Sequence, residues 1–286
     1  MQSFFFGWYF KCQSDTQTLA IIPAVHKSGL KRSCSIQVIT KNQSWNVDFP
    51  ASTFHYADGD ICIAKNRFGK NGIFLAVHTP ELHIDGKLRF GHMHPLRYDI
   101  MGPFSILPFL ECRHSVQSMW HSVYGRVHIN EQEYLFQNAF GYWEGDQGNS
   151  FPKEYAWTQC GFQGGSLMLS VADVPIAGNH FRGIIGVVLW QGKEYRLATY
   201  LGARAAELQD GKIRIVQGQL ELEARILEAV KNPLKAPTQG NMTRTIHESA
   251  ACRAFYKFRK GENTFFEFET DRASFEYELK QRVSPS

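Results

Sequence analysis

The sequence predicts an all-β protein made of two tandem antiparallel β-barrels related by internal duplication. Apolar residues alternate at period two in residues 34–38, 213–216 and 265–269, the pattern of strands with one buried face. Turn signals recur at strand-and-turn spacing along the whole chain. Helical periodicity is confined to one short window, Leu222, Ile226 and Val230. Of the 286 residues, 43% are hydrophobic and 14% aromatic, with 22 Phe, 11 Tyr and 6 Trp, which suits strands and large apolar pockets.

The first element is the aromatic strand Trp8-Tyr9-Phe10-Lys11-Cys12. The alternating stretch 34–38 follows, with turns expected at Ala57-Asp58-Gly59, Lys70-Asn71-Gly72 and Asp85-Gly86. Leu82-His83-Ile84 is followed, thirteen residues from Leu82, by Pro95-Leu96-Arg97. His114-Ser115 opens a long strand ahead of Asn130, and an aromatic strand runs through Tyr142-Trp143-Glu144.

The second half repeats this order. It opens on Tyr155-Ala156-Trp157-Thr158-Gln159-Cys160, with turns at Gln191-Gly192, Asp210-Gly211 and Gly261-Glu262-Asn263. Leu220-Glu221-Leu222 leads, thirteen residues from Leu220, to Pro233-Leu234-Lys235. His247-Glu248-Ser249 precedes a strand and Asn263, and the half ends through Phe275-Glu276-Tyr277-Glu278. Four matches in one order indicate duplication and set His114 and His247 at equivalent positions. The counterpart of residues 222–230 carries the Asp85-Gly86 turn signal, so that window reads as strand rather than helix. The boundary is expected in residues 145–150, giving domains 1–148 and 149–286. Each half, about 140 residues, suits one closed barrel with no open strand edge.

Several classes of partner are excluded. The 31 Lys and Arg against 27 Asp and Glu leave a charge of +4 with no basic stripe, which argues against nucleic acid. The N-terminus lacks a basic region and a small-residue cleavage site, so a cytoplasmic address is expected. The longest apolar run, residues 183–190, is far too short for an integral membrane segment and leaves room only for peripheral membrane contact. The six cysteines are spread without a C-x-x-C pair and read as reduced and mostly buried. Phosphate-loop, dinucleotide and nucleophile-elbow motifs are absent, so no cofactor is assigned. No metal is assigned either: His92-Met93-His94 comes nearest, but it lacks a third ligand and reads as a polar pair before Pro95.

Candidate chemistry centres on the middle of the chain. His114 and His247 are read as strand-pinning histidines or proton handlers. Glu144, Asp146 and Glu154 flank an aromatic-rich junction, where desolvation raises a carboxyl pKa and makes a general acid. The alternative for Glu144 and Glu154 is a solvated interdomain loop.

Phe5-Phe6-Gly7-Trp8-Tyr9-Phe10-Lys11 resembles the F-E-G-W-Y-F-K/R opening of the tocopherol cyclase family. Tyr142, Glu144 and Asp146, then Phe151-Pro152-Lys153 and Trp157-x-Gln159-Cys160, are similar to its central block. Leu222-Glu223-Ala224-Arg225 and residues 233–238 resemble its L-E-A and P-L-K-A-P-T elements. The resemblance implies two lipocalin-like barrels and closure of a prenylated hydroquinone to a chromanol in an apolar barrel pocket. That chemistry asks for a proton donor, with Asp146 first and Glu144 second, and His114 to accept the phenolic proton. Trp8, Tyr9, Tyr142, Tyr155 and Trp157 would line the substrate site and face the cation. Phe6 stands where the motif has Glu, and Gln147 where it has Trp. A non-catalytic binder of an isoprenoid, quinone or lipid uses the same pocket and explains Phe6 directly.

Overall fold

The computed structural model describes residues 3–107, 110–176 and 179–279. Two antiparallel sheets hold nearly all of them, as the period-two patterning demands. In the first, β1 (Phe4–Gln13), β2 (Thr18–Ser28), β3 (Lys31–Thr40) and β4 (Ser44–Pro50) form a meander. A 3₁₀ turn at Ala51–Thr53 leads to β5 (Phe54–Ala57), β6 (Asp60–Ile63), β7 (Asn66–Gly69), β8 (Gly72–His78) and β9 (His83–Phe90). Two long strands, β10 (Cys112–Ile129) and β11 (Gln132–Gly148), complete it. The order is β4-β3-β2-β1-β11-β10-β9-β8-β7-β6-β5. Its end strands, β4 and β5, are consecutive in sequence. Thr53 between them accepts the Ala64 N–H on its carbonyl and meets Cys34 Sγ at 3.7 Å, which draws the ends together.

The second sheet repeats the plan. Its meander is β12 (Tyr155–Phe162), β13 (Gly165–Ile176), β14 (Asn179–Trp190) and β15 (Lys193–Ala198). After a 3₁₀ turn at Thr199–Leu201 come β16 (Arg204–Gln209), β17 (Lys212–Gln217), β18 (Leu220–Glu228) and β19 (Asn232–Thr238), then the long β20 (Asn241–Lys260) and β21 (Asn263–Tyr277). The order β15-β14-β13-β12-β21-β20-β18-β17-β16, with β19 added on β20, matches the first sheet strand for strand except for the extra β5 and β6. These are two tandem lipocalin-like barrels, and residues 222–228 are strand.

The chain forms two compact units: Met1–Asp99 with Glu111–Phe151 and Leu234–Thr245, and Ile100–Leu110 with Pro152–Pro233 and Ile246–Ser286. The first unit's core includes Trp8, Phe10, Ile36, Phe68, Leu88 and Trp143. The second unit's core includes Leu169, Ile215, Leu222, Tyr256, Phe258 and Phe275.

One turn expectation needs correcting here. Asp85-Gly86 is no turn but lies inside β9, where a Cβ on Gly86 would sit 2.4 Å from the Arg126 carbonyl oxygen. The glycine marks close backbone approach rather than a reversal. Residues 145–148 form the end of β11, paired with β1 and β10. His92 and His94 lie in an irregular segment after β9, just before Pro95.

Candidate functional site

The β1–β11 register sorts the central residues by face. Trp8, Phe10 and Cys12 stand opposite Gly145, Trp143 and Gly141, on the face that joins the apolar core. Tyr9 and Lys11 stand opposite Glu144 and Tyr142, and Gly7 opposite Asp146. These residues share the other face, because side chains alternate along a strand. β10 adds His114 directly across from Asp146. The resemblance implied a carboxylate in an apolar barrel interior. The register puts the carboxylates on the sheet face away from that interior.

On this face His114 bridges two carboxylates. Its Nδ1 lies 2.9 Å from Asp146 Oδ1 and its Nε2 lies 3.2 Å from Glu144 Oε2. The Nδ1 contact is a hydrogen bond, while the Nε2 contact is an ion-pair approach off the hydrogen-bond axis. Tyr142 donates its hydroxyl to Glu144 Oε2 at 2.5 Å, and Cys112 points its thiol at Asp146 Oδ1 at 3.5 Å. The side chains of His114 and Glu144 are 9% and 6% exposed and that of Asp146 is 25% exposed, so Asp146 is the member open to an incoming molecule. Glu144 is therefore a buried strand residue and not part of a solvated loop.

Burial pushes the His114 pKa down, but the Asp146 charge, then the Glu144 charge and the Asp146 hydrogen bond, outweigh it and hold it at about 10. The imidazole is thus a cation at neutral pH. Burial, reinforced by the Glu144 charge, drives the Tyr142 hydroxyl well above the ordinary tyrosine range, so Tyr142 stays a donor. Burial and the Asp146 charge do the same to the Cys112 thiol. His114, Glu144 and Asp146 could together offer a metal one nitrogen and two oxygens. However, the ring directs its two nitrogens at different carboxylates, an arrangement that suits proton transfer better than shared ligation.

The other expected residues separate. Trp8, on the core face, packs on Phe6 at 4.1 Å and stacks with Phe54 and Tyr56. Tyr155 and Trp157 belong to the second unit, where Tyr155 donates its hydroxyl to Glu276 and Trp157 stands across from Glu276. Glu154 precedes β12, and its carbonyl accepts the Asp173 N–H. His247 is not the counterpart of His114. Glu144 pairs with Val116, whereas Glu276 pairs with Glu248, and the one-residue offset turns His247 outward with half its side chain exposed.

Lys11, fully buried across from Tyr142, escaped the sequence reading. A lysine two residues from Tyr9 in an apolar strand was the available signal. Another buried histidine, His121, sits apart from the trio against Phe90, and burial pushes its pKa down to about 3.

No family model matches this chain, and no curated protein matches it in sequence. Solved structures do match in fold. CghA crystallised with Sch210972 aligns at a TM-score of 0.63 and 10% identity, over 97% of this chain and 89% of that one. Kievitone hydratase from Nectria haematococca aligns at 0.58 and 8% identity, over 97% and 89%. An AttH protein from Nitrosomonas europaea aligns at 0.56 and 8%, over 98% and 93%. At these identities the likeness speaks to the fold.

Proposed function

We propose that this chain is an acid–base enzyme that closes a prenylated hydroquinone to a chromanol, in the manner of the tocopherol cyclase family its sequence resembles. The observation that carries the reading is the buried chain Tyr142–Glu144–His114–Asp146, with a cationic imidazole between two carboxylates. The closure is an isomerisation. A proton adds to the less substituted alkene carbon, the phenol oxygen bonds to the tertiary cation, and the phenolic proton leaves.

His114 is the proton reserve and Asp146, the most exposed of the three, delivers the proton. His114 takes up the phenolic proton at the end of the turnover through the same carboxylates. Tyr9 and Tyr142 share the face and offer π surfaces to the cation, each worth about 0.5–2 kcal/mol. Similarity in fold to a protein named as a hydratase supports the first step, since hydration of an alkene also begins by protonating it. The ligand of this proposal is a hydrophobic small molecule met in the cytoplasm.

The test is turnover of a prenylated hydroquinone in D₂O. The expected product is an isomer of the substrate in which one deuterium stands in place of a hydrogen on carbon, and Asp146→Asn lowers kcat about a hundredfold with affinity kept. The binder reading is favoured by Phe6, which presents a ring rather than a carboxylate beside Trp8. Saturable tryptophan quenching with no product would support it. Absence of both product and binding would overturn the two readings together.

A further inference from the structure

A second cluster of chemistry-bearing side chains lies on the first unit, away from the trio, at the end of the β8–β9 hairpin. His78 and His83 are directly opposite each other in the register. Their rings stack with centroids 4.1 Å apart and planes 6° from parallel. Both turn Nε2 toward one oxygen of Asp85, at 2.8 Å from His78 and 3.3 Å from His83. Asp85 lies two residues beyond His83, on the same face of β9.

We propose that His78, His83 and Asp85 form a binding site for a first-row divalent transition ion such as zinc. Two imidazole nitrogens and a carboxylate oxygen are the donor set such borderline ions take, with water completing the shell. Ligands about 2.1 Å from a tetrahedral zinc are about 3.4 Å apart, so the approach already present is close to what the ion requires. The three candidate ligand atoms all lie within 4.8 Å of one another.

The backbone beneath the site is held on both sides. Thr79 and Leu82 bond each other across the hairpin loop, the Thr79 N–H to the Leu82 carbonyl and the Leu82 N–H to Thr79 Oγ1. Asn130, in the β10–β11 turn, accepts the His83 N–H on Oδ1 and donates its own N–H to the His83 carbonyl. The ligands are therefore brought together before any ion arrives, which lowers the ordering cost of binding. The side chains of His78, His83 and Asp85 are each at least half exposed, so an ion can enter without displacing the fold. Around them, β10 places His128 across from Asp85, and His128 itself pairs with Glu133 at 3.3 Å. Lys87 and Arg126, opposite each other further along, are the nearby cations on these strands. An ion at this point clips β8 to β9 and raises the melting temperature of the native state.

The test is calorimetric titration of untagged protein with Zn²⁺ alone, on wild type, His78→Ala, His83→Ala and His114→Gln. The expected result is one saturable equivalent whose affinity falls at least about tenfold in either hairpin variant, as even outer-shell losses cost about 10–100-fold. His114→Gln leaves that equivalent in place. The ¹⁵N imidazole spectrum should show ligation at Nε2 of His78 and His83. Binding unchanged in both hairpin variants, binding lost only in His114→Gln, or no saturable binding in wild type would each overturn the proposal.

Discussion

The two units carry the same strand plan but different polar clusters at matching places. In the first unit Tyr9 stands across from Glu144 and Lys11 across from Tyr142; in the second, Trp157 stands across from Glu276 and Gln159 across from Ser274. One glutamate is kept, while the tyrosine and lysine of the first unit become serine and glutamine. Each retained glutamate accepts a tyrosine hydroxyl, from Tyr142 two residues away on β11 in one case and from Tyr155 on β12 in the other. In the first unit β10 brings His114 onto the shared face, while in the second β20 brings Glu248 there and turns His247 to solvent. A duplicated scaffold thus fixes where a carboxylate sits, and a one-residue difference in strand register decides which side chain the neighbouring strand sets beside it.

The sharpest test of that difference is the pair of histidines. Removing His114 leaves two carboxylates, one of them buried, facing each other without their cation, so His114→Ala is expected to cost about 3–5 kcal/mol in urea unfolding at pH 7. His247→Ala, at an exposed position, should stay within about 0.5 kcal/mol of wild type. Equal effects from the two would break the comparison.

Next in size is turnover. Asp146→Asn should slow ring closure about a hundredfold, and Glu276→Gln, at the residue that accepts the Tyr155 hydroxyl in the other unit, should slow it less. A larger loss from Glu276→Gln would shift the proton donor to the second unit. Tyr142→Phe and Tyr155→Phe each remove a hydrogen bond to a glutamate, expected to cost about 1.5–3 kcal/mol in chemical denaturation. Only Tyr142→Phe should also move the pH–rate profile, since only that tyrosine touches the His114 chain.

A further contrast lies between two histidines of one strand. His121 is held neutral by burial, with its pKa pushed down to about 3. As pH falls below about 6.5 the unfolded chain takes up a proton that the folded chain refuses, so stability drops progressively toward pH 3. His121→Phe should flatten that acid limb of the unfolding curve, and an unchanged limb would show that another group causes it.

Much of this was legible in advance. Period-two alternation and the ordered repeat gave the two barrels, and the repeat correctly turned residues 222–228 from an apparent helix stripe into β18. Glu144 and Asp146 stand out by residue type and by the junction they flank, His114 by its place in the repeat, and in the structure His114 meets both carboxylates. What failed was register. Spacing alone equated His114 with His247, but β10 and β20 both carry register shifts that spacing cannot reveal. Gly86 reads as a turn in any one-dimensional scan, since its crowding against Arg126 and Val127 exists only once β9 and β10 pair. Which face of β1 meets Glu144 and Tyr142 also needed the β11 pairing, which joins strands more than a hundred residues apart.

The central claim is that two carboxylates overrule burial and keep His114 charged. Its most direct measurement is a ¹⁵N-imidazole NMR titration of His114, with unfolding followed over the same pH range. A histidine whose folded pKa is raised contributes stability that is fully present below its unfolded value of about 6.5 and is lost as pH rises through about 10. The account predicts both ring nitrogens protonated at pH 8, deprotonation near pH 10, and a fall in stability across that interval that disappears in His114→Gln. A neutral single-tautomer ring at pH 8, with stability flat from pH 6.5 to 10, would contradict it.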